Sequence, residues 1–385
     1  MTLTFFSNYL NHHQLPVCLE FLNTPDLEFR FVANQPITKE RLALGYEDMN
    51  QKEFVVRAYE SDEQKELALK LAKESDMVIF GSCPLIFEEA RIAEGKPFFR
   101  YSERFFKTLK FKNALYIYAS FYKRHGGKMS KNAYMLSASA FTAADAARIG
   151  LYKNRCYRWG YFPAVKEYEN IEKTVDAKEK NSILWVARML ELKHPEAPVL
   201  VAERLKKDGY DFTINMIGTG ELTDKINALI EEKGLKENIN MLGSMSPDEV
   251  REHMEKASVF LFTSNKQEGW GAVLNESMNS GCAVVASHAI GSVPFLLKDN
   301  ENGLIYRSED IDDLYKKVKY LLDNPNETKR MGIAAYKTLA EQWNAKNAAA
   351  RFMELSKAIL SGEKNPDIFP EGVCSKAAIL KNNWY

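Results

Sequence analysis

The amino-acid sequence predicts an α/β protein built from two doubly wound parallel sheets. Short runs of β-branched and aromatic residues alternate with helical patterns in both halves of the chain, the signature of parallel strands joined by crossover helices. The length, 385 residues, suffices for two domains that each bury a core. One polar stretch, "KEYENIEKTVDAKEKN" (166–181), separates the two sets of strands and reads as their linker.

In the first half the strand runs are "LTFFS" (3–7), "EFRFVA" (28–33), "DMVIFG" (76–81), "PFFRYS" (97–102) and "AYMLSAS" (133–139). Helical patterns separate several of them, notably "DEQKELALKLAKES". The second half repeats the plan with "SILWVAR" (182–188), "FTINMIG" (212–218), "INMLGS" (239–244), "SVFLFTS" (258–264), "CAVVAS" (282–287) and "GLIY" (303–306). In "SPDE" (246–249), Ser246 is a helix N-cap, Pro247 takes the first helical position, and Glu249 completes a capping box. Gly281 ends a helix before "CAVVAS". The acidic "DIDD" (310–313) resembles a metal-binding motif but opens a helical pattern, where acids favour the helix start; no metal site is expected. The expected domains are 1–170 and 171–342. Residues 343–385 supply a helix, from about Trp343 to Leu360, and a tail.

Composition removes several functional classes. The 52 Lys and Arg balance 52 Asp and Glu, so net charge gives no argument for nucleic-acid binding, and none is expected. Cys18, Cys83, Cys156, Cys282 and Cys374 are scattered and lack CxxC spacing, so they read as buried thiols in a reducing compartment. The start "MTLTFFSNYLNHHQ" lacks a basic, apolar leader pattern, and no 18-residue apolar run suggests a membrane span. A cytoplasmic protein is expected, with peripheral association at the inner face of the cell membrane left open.

Three loops at strand ends carry the chemistry. After "SILWVA" come Arg188 and Lys193, two cations within one connection. After "FTINMI" comes Gly218-Thr219-Gly220, which allows a ligand near the backbone. After "SVFLFTS" comes "EGWGAVLNE": Glu268, then Gly269, Trp270, Gly271, Ala272 and Val273 at a helix start, then Glu276 on the helix. Free amides and a helix dipole suit phosphate, and the two cations add charge to the same groups. Glu276 is placed to accept from ribose hydroxyls, and Glu268 from hydroxyls beyond the phosphates. The implied ligand is a nucleoside diphosphate bearing a polyhydroxylated group. Taken singly, the two glutamates and the two cations read as solvated surface charges. "GTGELT" is a poor dinucleotide fingerprint, because it lacks the third glycine and follows the second strand of its set. His12 and His13, after the first strand, are either a polar loop or a ligand pair. The joint order of these features at successive strand ends favours a ligand site.

The run from Ile183 to Tyr306 resembles the donor-binding domain of a family 4 glycosyltransferase, a family with the GT-B fold of two Rossmann-like domains facing a cleft. The motifs carrying the resemblance are "VARMLELKHPE", "MIGTGEL", "MLGSMSPDEV", "SNKQEGWGAVLNESMNSGCAVVAS" and "IGSVPFLLKDNENGLIY", about a third of the chain. The resemblance implies that Arg188 and Lys193 hold the donor diphosphate. The Gly269–Val273 amides meet phosphate and sugar, Glu268 contacts sugar hydroxyls, Glu276 contacts the ribose, and the loop at Met245 lines the base. It also implies a retaining transfer without metal or bound cofactor, the nucleotide sugar being a co-substrate. The C-terminal helix would cross back onto the first domain. In the first half, "NYLNHHQ" stands where many relatives have a glycine pair, and Ser102 and Glu103 stand where some have a histidine. His12, His13, Ser102 and Glu103 are therefore the acceptor-side candidates. "SERFFK", "RWGYFP" and "NNWY" resemble transferases of bacterial surface-polysaccharide assembly, which implies a carbohydrate or lipid-linked acceptor.

Residues 100–131 hold nine Lys and Arg against one acid, Glu103, interleaved with Phe105, Phe106, Phe111, Tyr116, Tyr118, Phe121 and Tyr122. That mixture suits an anionic membrane surface, or equally a solvated basic face above a core. Rival readings of the whole chain are an epimerase or hydrolase of nucleotide sugars, a nicotinamide oxidoreductase and a sugar-binding module. The oxidoreductase requires a full GxGxxG after the first strand, and "FFSNYLNHHQ" has none.

Overall fold

The structure, a computed structural model, describes residues 1–39, 42, 45, 47–107, 114–125 and 131–385; the side chains of 114, 117, 121, 124 and 125 are outside that description. The chain forms two compact units, one of Met1–Ala164 with Asn344–Lys381, the other of Val165–Trp343 with Asn382–Tyr385.

The first unit is built on seven strands, β1 (Thr2–Ser7), β2 (Glu28–Ala33), β3 (Val55–Arg57), β4 (Met77–Phe80), β5 (Phe98–Ser102), β6 (Ala133–Ser137) and β7 (Cys156–Arg158). Their order is β3-β2-β1-β4-β5-β6-β7, and every pairing is parallel. The second unit has β8 (Glu179–Val186), β9 (Thr213–Ile217), β10 (Ile239–Gly243), β11 (Ala257–Phe262), β12 (Ala283–Ser287) and β13 (Leu304–Tyr306), in the order β10-β9-β8-β11-β12-β13. Both sheets reverse direction of growth after their third strand, which is the doubly wound arrangement. Strand interiors such as Ile183, Leu184, Val259, Phe260, Val284 and Val285 are buried on both faces, as helices on each side of a parallel sheet require.

Sequence reading missed β3 and β7, each three residues long and at a sheet edge. The stretch 166–181 is not a structureless linker. Asn170 caps the helix Ile171–Asp176 through the Lys173 amide, Ile171 and Val175 are buried, and β8 already begins at Glu179. The unit boundary falls at Ala164 rather than residue 170, so 165–170 group with the second unit. The helix Ala345–Leu360 belongs to the first unit, where Phe352 meets Phe21, Phe99 and Trp159 at ring distances of 5.6, 5.1 and 5.7 Å. The last four residues do not stay with it. Trp384 Nε1 donates to His288 O at 3.0 Å and Tyr385 Oη to Ile305 O at 2.7 Å, in the second unit.

The capping box is present as Ser246, Pro247 and Glu249, and Asp310 caps the helix Ile311–Asp323 by accepting from the Asp313 amide. The five cysteines are free, and burial pushes their thiols up. Among the described residues no helix is long and apolar enough to cross a membrane.

Candidate functional site

In the second unit β8 lies between β9 and β11, so the connections leaving β8 and β11 diverge at the reversal of strand order. In open parallel sheets such a reversal is where ligands bind, beyond the carboxyl ends of the strands. The candidate residues sit on those connections, and a polar network fixes them. Trp185, buried on β8, donates its indole N–H to Thr263 Oγ1 at 2.8 Å; Thr263 in turn donates to Lys193 O at 2.6 Å. The Asn265 amide donates to Leu192 O at 3.0 Å. These bonds seat the short 3₁₀ turn Glu191–Lys193 beside the loop after β11, and Lys193 Nζ forms an ion pair with Glu268. Both side chains are mostly buried, 17% and 13% exposed, which strengthens their attraction relative to a surface pair. Arg188, two residues past β8, is exposed.

The glycines have a role the sequence did not disclose. A Cβ on Gly218, whose φ is +128°, would lie 1.9 Å from Ala187 O, and one on Gly220 would lie 2.6 Å from Met189 O. What approaches these glycines closely is therefore the chain's own β8 connection. It is tied down further by Met189 N–H to Thr219 O at 3.0 Å. Thr219 and Ser244 hydroxyls meet at 2.9 Å, which brings the loop containing half-buried Met245 alongside.

In the loop after β11, Gly271 has φ +80° and lies where a Cβ would come within 2.2 Å of Phe262 Cζ. The Trp270 side chain is fully buried in the core, stacked on Trp343 at 5.7 Å and bonded to Asn275 Oδ1 at 2.9 Å, so it anchors the loop rather than facing a ligand. The first hydrogen bonds of the following helix, Val273–Asn279, are Leu274 N–H to Gly271 O and Glu276 N–H to Ala272 O. The Gly271, Ala272 and Val273 amides precede them, as the orphan donors of a helix start. Gly269 is buried between Glu268 and Trp270.

Glu276 is partly buried, and its loss of water pushes the carboxyl up to about 7; the Arg251 charge pulls the other way and loses. Arg251 is itself committed to the end of that helix, to Glu276 O at 3.3 Å, Asn279 Oδ1 at 2.9 Å and Ser280 Oγ at 3.0 Å. Arg251, Thr263 and Asn265 escaped sequence reading because each acts by bridging two connections far apart in the chain.

The acceptor-side candidates come together in the first unit, through a residue not singled out. The Tyr161 ring stacks on His13 at 4.0 Å, and its hydroxyl donates to Glu103 Oε1 at 2.7 Å. Glu103 also pairs with Lys107, and His12 meets His13 edge-on at 4.9 Å. Ser102 turns away, donating to Glu103 O at 2.8 Å. Tyr161 lies in "RWGYFP", whose aromatics carried the family resemblance but no assigned role.

In the basic stretch, Arg100 pairs with Glu88, Arg104 with Asp145 and Lys107 with Glu103, so these three cations serve the unit's own structure. Phe106 is buried against Tyr118, whereas Leu115, Tyr116 and Tyr122 are 87, 79 and 58% exposed. Lys110, Phe111, Lys112 and Lys128 lie outside the described residues.

Comparisons with known proteins agree with this layout. Residues 167–338 match the family model described as glycosyl transferases group 1. An uncharacterized glycosyltransferase of Methanocaldococcus jannaschii is 34% identical over 122 residues, 32% of this chain and 34% of that protein. The poly(ribitol-phosphate) alpha-N-acetylglucosaminyltransferase of Staphylococcus aureus is 25% identical over 171 residues, 44% of this chain and 34% of that one. The chain thus spans about a third of the length of these curated relatives. Anabaena HepE, solved in complex with UDP, superposes with a TM-score of 0.67 at 13% identity, covering 93% of this chain and 100% of that one. The fold is GT-B, and the stretch similar to group 1 glycosyl transferases lies within the second unit.

Proposed function

We propose that this protein is a retaining glycosyltransferase that moves a sugar from a nucleoside-diphosphate sugar to an acceptor hydroxyl in the assembly of a surface polysaccharide such as capsule, exopolysaccharide or lipopolysaccharide. The observation that carries the reading is the Lys193–Glu268 pair, held at the strand-order reversal beside the Gly271–Val273 amides. A donor divides that pair: Lys193 turns to the diphosphate, and Glu268 is released to accept from sugar hydroxyls. Holding the two groups against each other beforehand keeps both side chains ordered for that exchange. The UDP bound by HepE and the poly(ribitol-phosphate) named for the Staphylococcus relative lend support by likeness.

The barrier is departure of the diphosphate from an oxocarbenium-like sugar. Lys193, Arg188 and the loop amides stabilise the charge that develops on the leaving phosphate. The bond between the anomeric carbon and the phosphate oxygen breaks, and the acceptor oxygen bonds to that carbon from the same face. The acceptor proton passes to the departing phosphate oxygen, so no protein base and no metal enters the step. Glu276 orients the nucleoside through its ribose. On the acceptor side, His13, Tyr161 and Glu103 form the polar group available to a carbohydrate or lipid-linked acceptor, and the exposed face of the helix Ala114–His125 suits an anionic membrane surface.

A thermal-shift screen over nucleoside-diphosphate sugars tests the reading. A donor at a hundred times its Kd should add about 2.7 kcal/mol of stability. Product analysis with the best donor should then show transfer with retained configuration. Donor hydrolysis or epimerisation without any transferred product would favour the rival nucleotide-sugar enzymes, and stabilisation by nicotinamide dinucleotides alone would contradict the proposal.

A further inference from the structure

His194, next to Lys193, adopts a left-handed backbone with φ 50° and ψ 56°. A residue with a Cβ is held there only when its surroundings support it. The support is visible on both ring nitrogens: Nδ1 lies 2.7 Å from Glu196 Oε1, and Nε2 lies 3.1 Å from Asn265 Nδ2. The Asn265 amide is oriented by its other end, because Oδ1 accepts from the Gln267 amide at 3.0 Å. Its NH₂ group therefore faces the ring and donates to a bare Nε2, which leaves the neutral ring's proton on Nδ1, toward Glu196. Adding a proton to Nε2 would set donor against donor and break the link to Asn265. The new N–H has Glu309 Oε1 at 3.9 Å as its alternative.

Asn265 is also the residue whose backbone amide holds Leu192 O, so its contacts staple the loop after β11 to Leu192 and His194, the residues on either side of Lys193. The charged groups around the ring are Glu191 on its own turn, Glu196 at the start of the next helix and Glu309 after β13; the β11 loop presents the neutral Asn265, its Glu268 being paired with Lys193. We propose that His194 is a positioning residue. Its neutral ring locks the Lys193 loop to the Glu268 loop through Asn265, and protonation moves it to Glu309 and loosens that lock, so that transfer is gated by pH. The inference rests on the transfer reading above. The hydrogen bond to Glu196 and the charges of Glu196, Glu309 and Glu191 hold the imidazole above the ordinary histidine value, against the opposing effect of burial.

Two measurements test it. Titration of ring-labelled histidines by NMR should show the His194 signal moving to higher pKa in Asn265→Ala, because the neutral form loses its donor, and to lower pKa in Glu196→Gln. In steady-state kinetics with saturating donor, wild-type kcat should rise with pH through the His194 titration. His194→Gly, which suits the left-handed backbone, should keep its melting temperature yet lose that acid limb. Its kcat should fall about tenfold at high pH and match wild type at low pH. A His194 pKa unmoved by Asn265→Ala would overturn the switch whatever the activity, and so would an acid limb that persists in folded His194→Gly. A wild type without turnover on any donor at any pH would instead count against the transfer reading, and the NMR titration would still decide the switch.

Discussion

Lys193 and Glu268 are separated by 75 positions, yet they end as one buried ion pair. If they and Arg188 act as assigned, Lys193→Ala and Arg188→Ala should each lower turnover by about 10²–10³, the cost of one lost charge stabiliser, roughly 2.7–4 kcal/mol. A folded variant with near-normal turnover would remove that residue from the mechanism. Glu276 makes a separate prediction through its raised pKa. An ionised carboxylate is the stronger acceptor for a pair of ribose hydroxyls, so nucleoside-diphosphate affinity should strengthen as pH rises through about 7, and Glu276→Gln should flatten that dependence. The stability sign is opposite: the folded state keeps this proton longer than the unfolded chain. Its stabilising contribution is full in acid, below the unfolded value, and is lost as pH rises through about 7. Calorimetric titrations and denaturant midpoints of wild type and variant across that range check both. The glutamates and cations stood out in the sequence because each lies on a connection that follows a clear apolar strand run. His194, Asn265 and Tyr161 were not, because their meaning lies in bonds across loops that sequence order does not bring together.

At the scale of elements, the longer buried strands and the fully buried Leu304–Tyr306 were legible, whereas two short edge strands were not. "FTINMIG" and "SVFLFTS" are apolar runs bounded by polar turns, whereas Val55–Arg57 and Cys156–Arg158 bury too few residues to stand out. The helix Ile171–Asp176 was hidden by the charges that surround its two buried residues. The glycine-rich connections were noticed in the sequence, and the structure adds a packing reason for two of them. Gly218 admits the chain's own β8 connection, and Gly271 admits the Phe262 ring. Gly218→Ala and Gly271→Ala should therefore each destabilise the second unit. Left-handed backbone alone costs a Cβ-bearing residue roughly 1–2 kcal/mol, and the overlap adds to it. Urea unfolding is the check. Midpoints equal to wild type would mean that the loops pack less tightly than described.

Across the molecule, charge is balanced overall but concentrated locally, and the basic stretch 100–131 divides by use. Arg100, Arg104 and Lys107 are consumed by internal pairs, while exposed Leu115, Tyr116 and Tyr122 accompany Lys123 on one helix. Vesicles containing anionic lipid should bind the protein at low salt and release it at high salt, as the Debye length falls from about 10 Å at 0.1 M to about 3 Å at 1 M. Charge reversal at Lys110, Lys112 and Lys123 should abolish binding without changing donor affinity. Indifference of wild type to such vesicles would leave the stretch as a solvated face. The central claim, that one unit grips a nucleotide sugar at both ends, is tested most directly by calorimetry. Wild type, Glu276→Ala and Glu268→Ala are each titrated with the nucleoside diphosphate and with the complete donor. Glu276→Ala should weaken both ligands alike, whereas Glu268→Ala should leave the nucleoside diphosphate bound normally and lose the extra affinity contributed by the sugar. Equal losses for both ligands in both variants, or no loss in either, would contradict it.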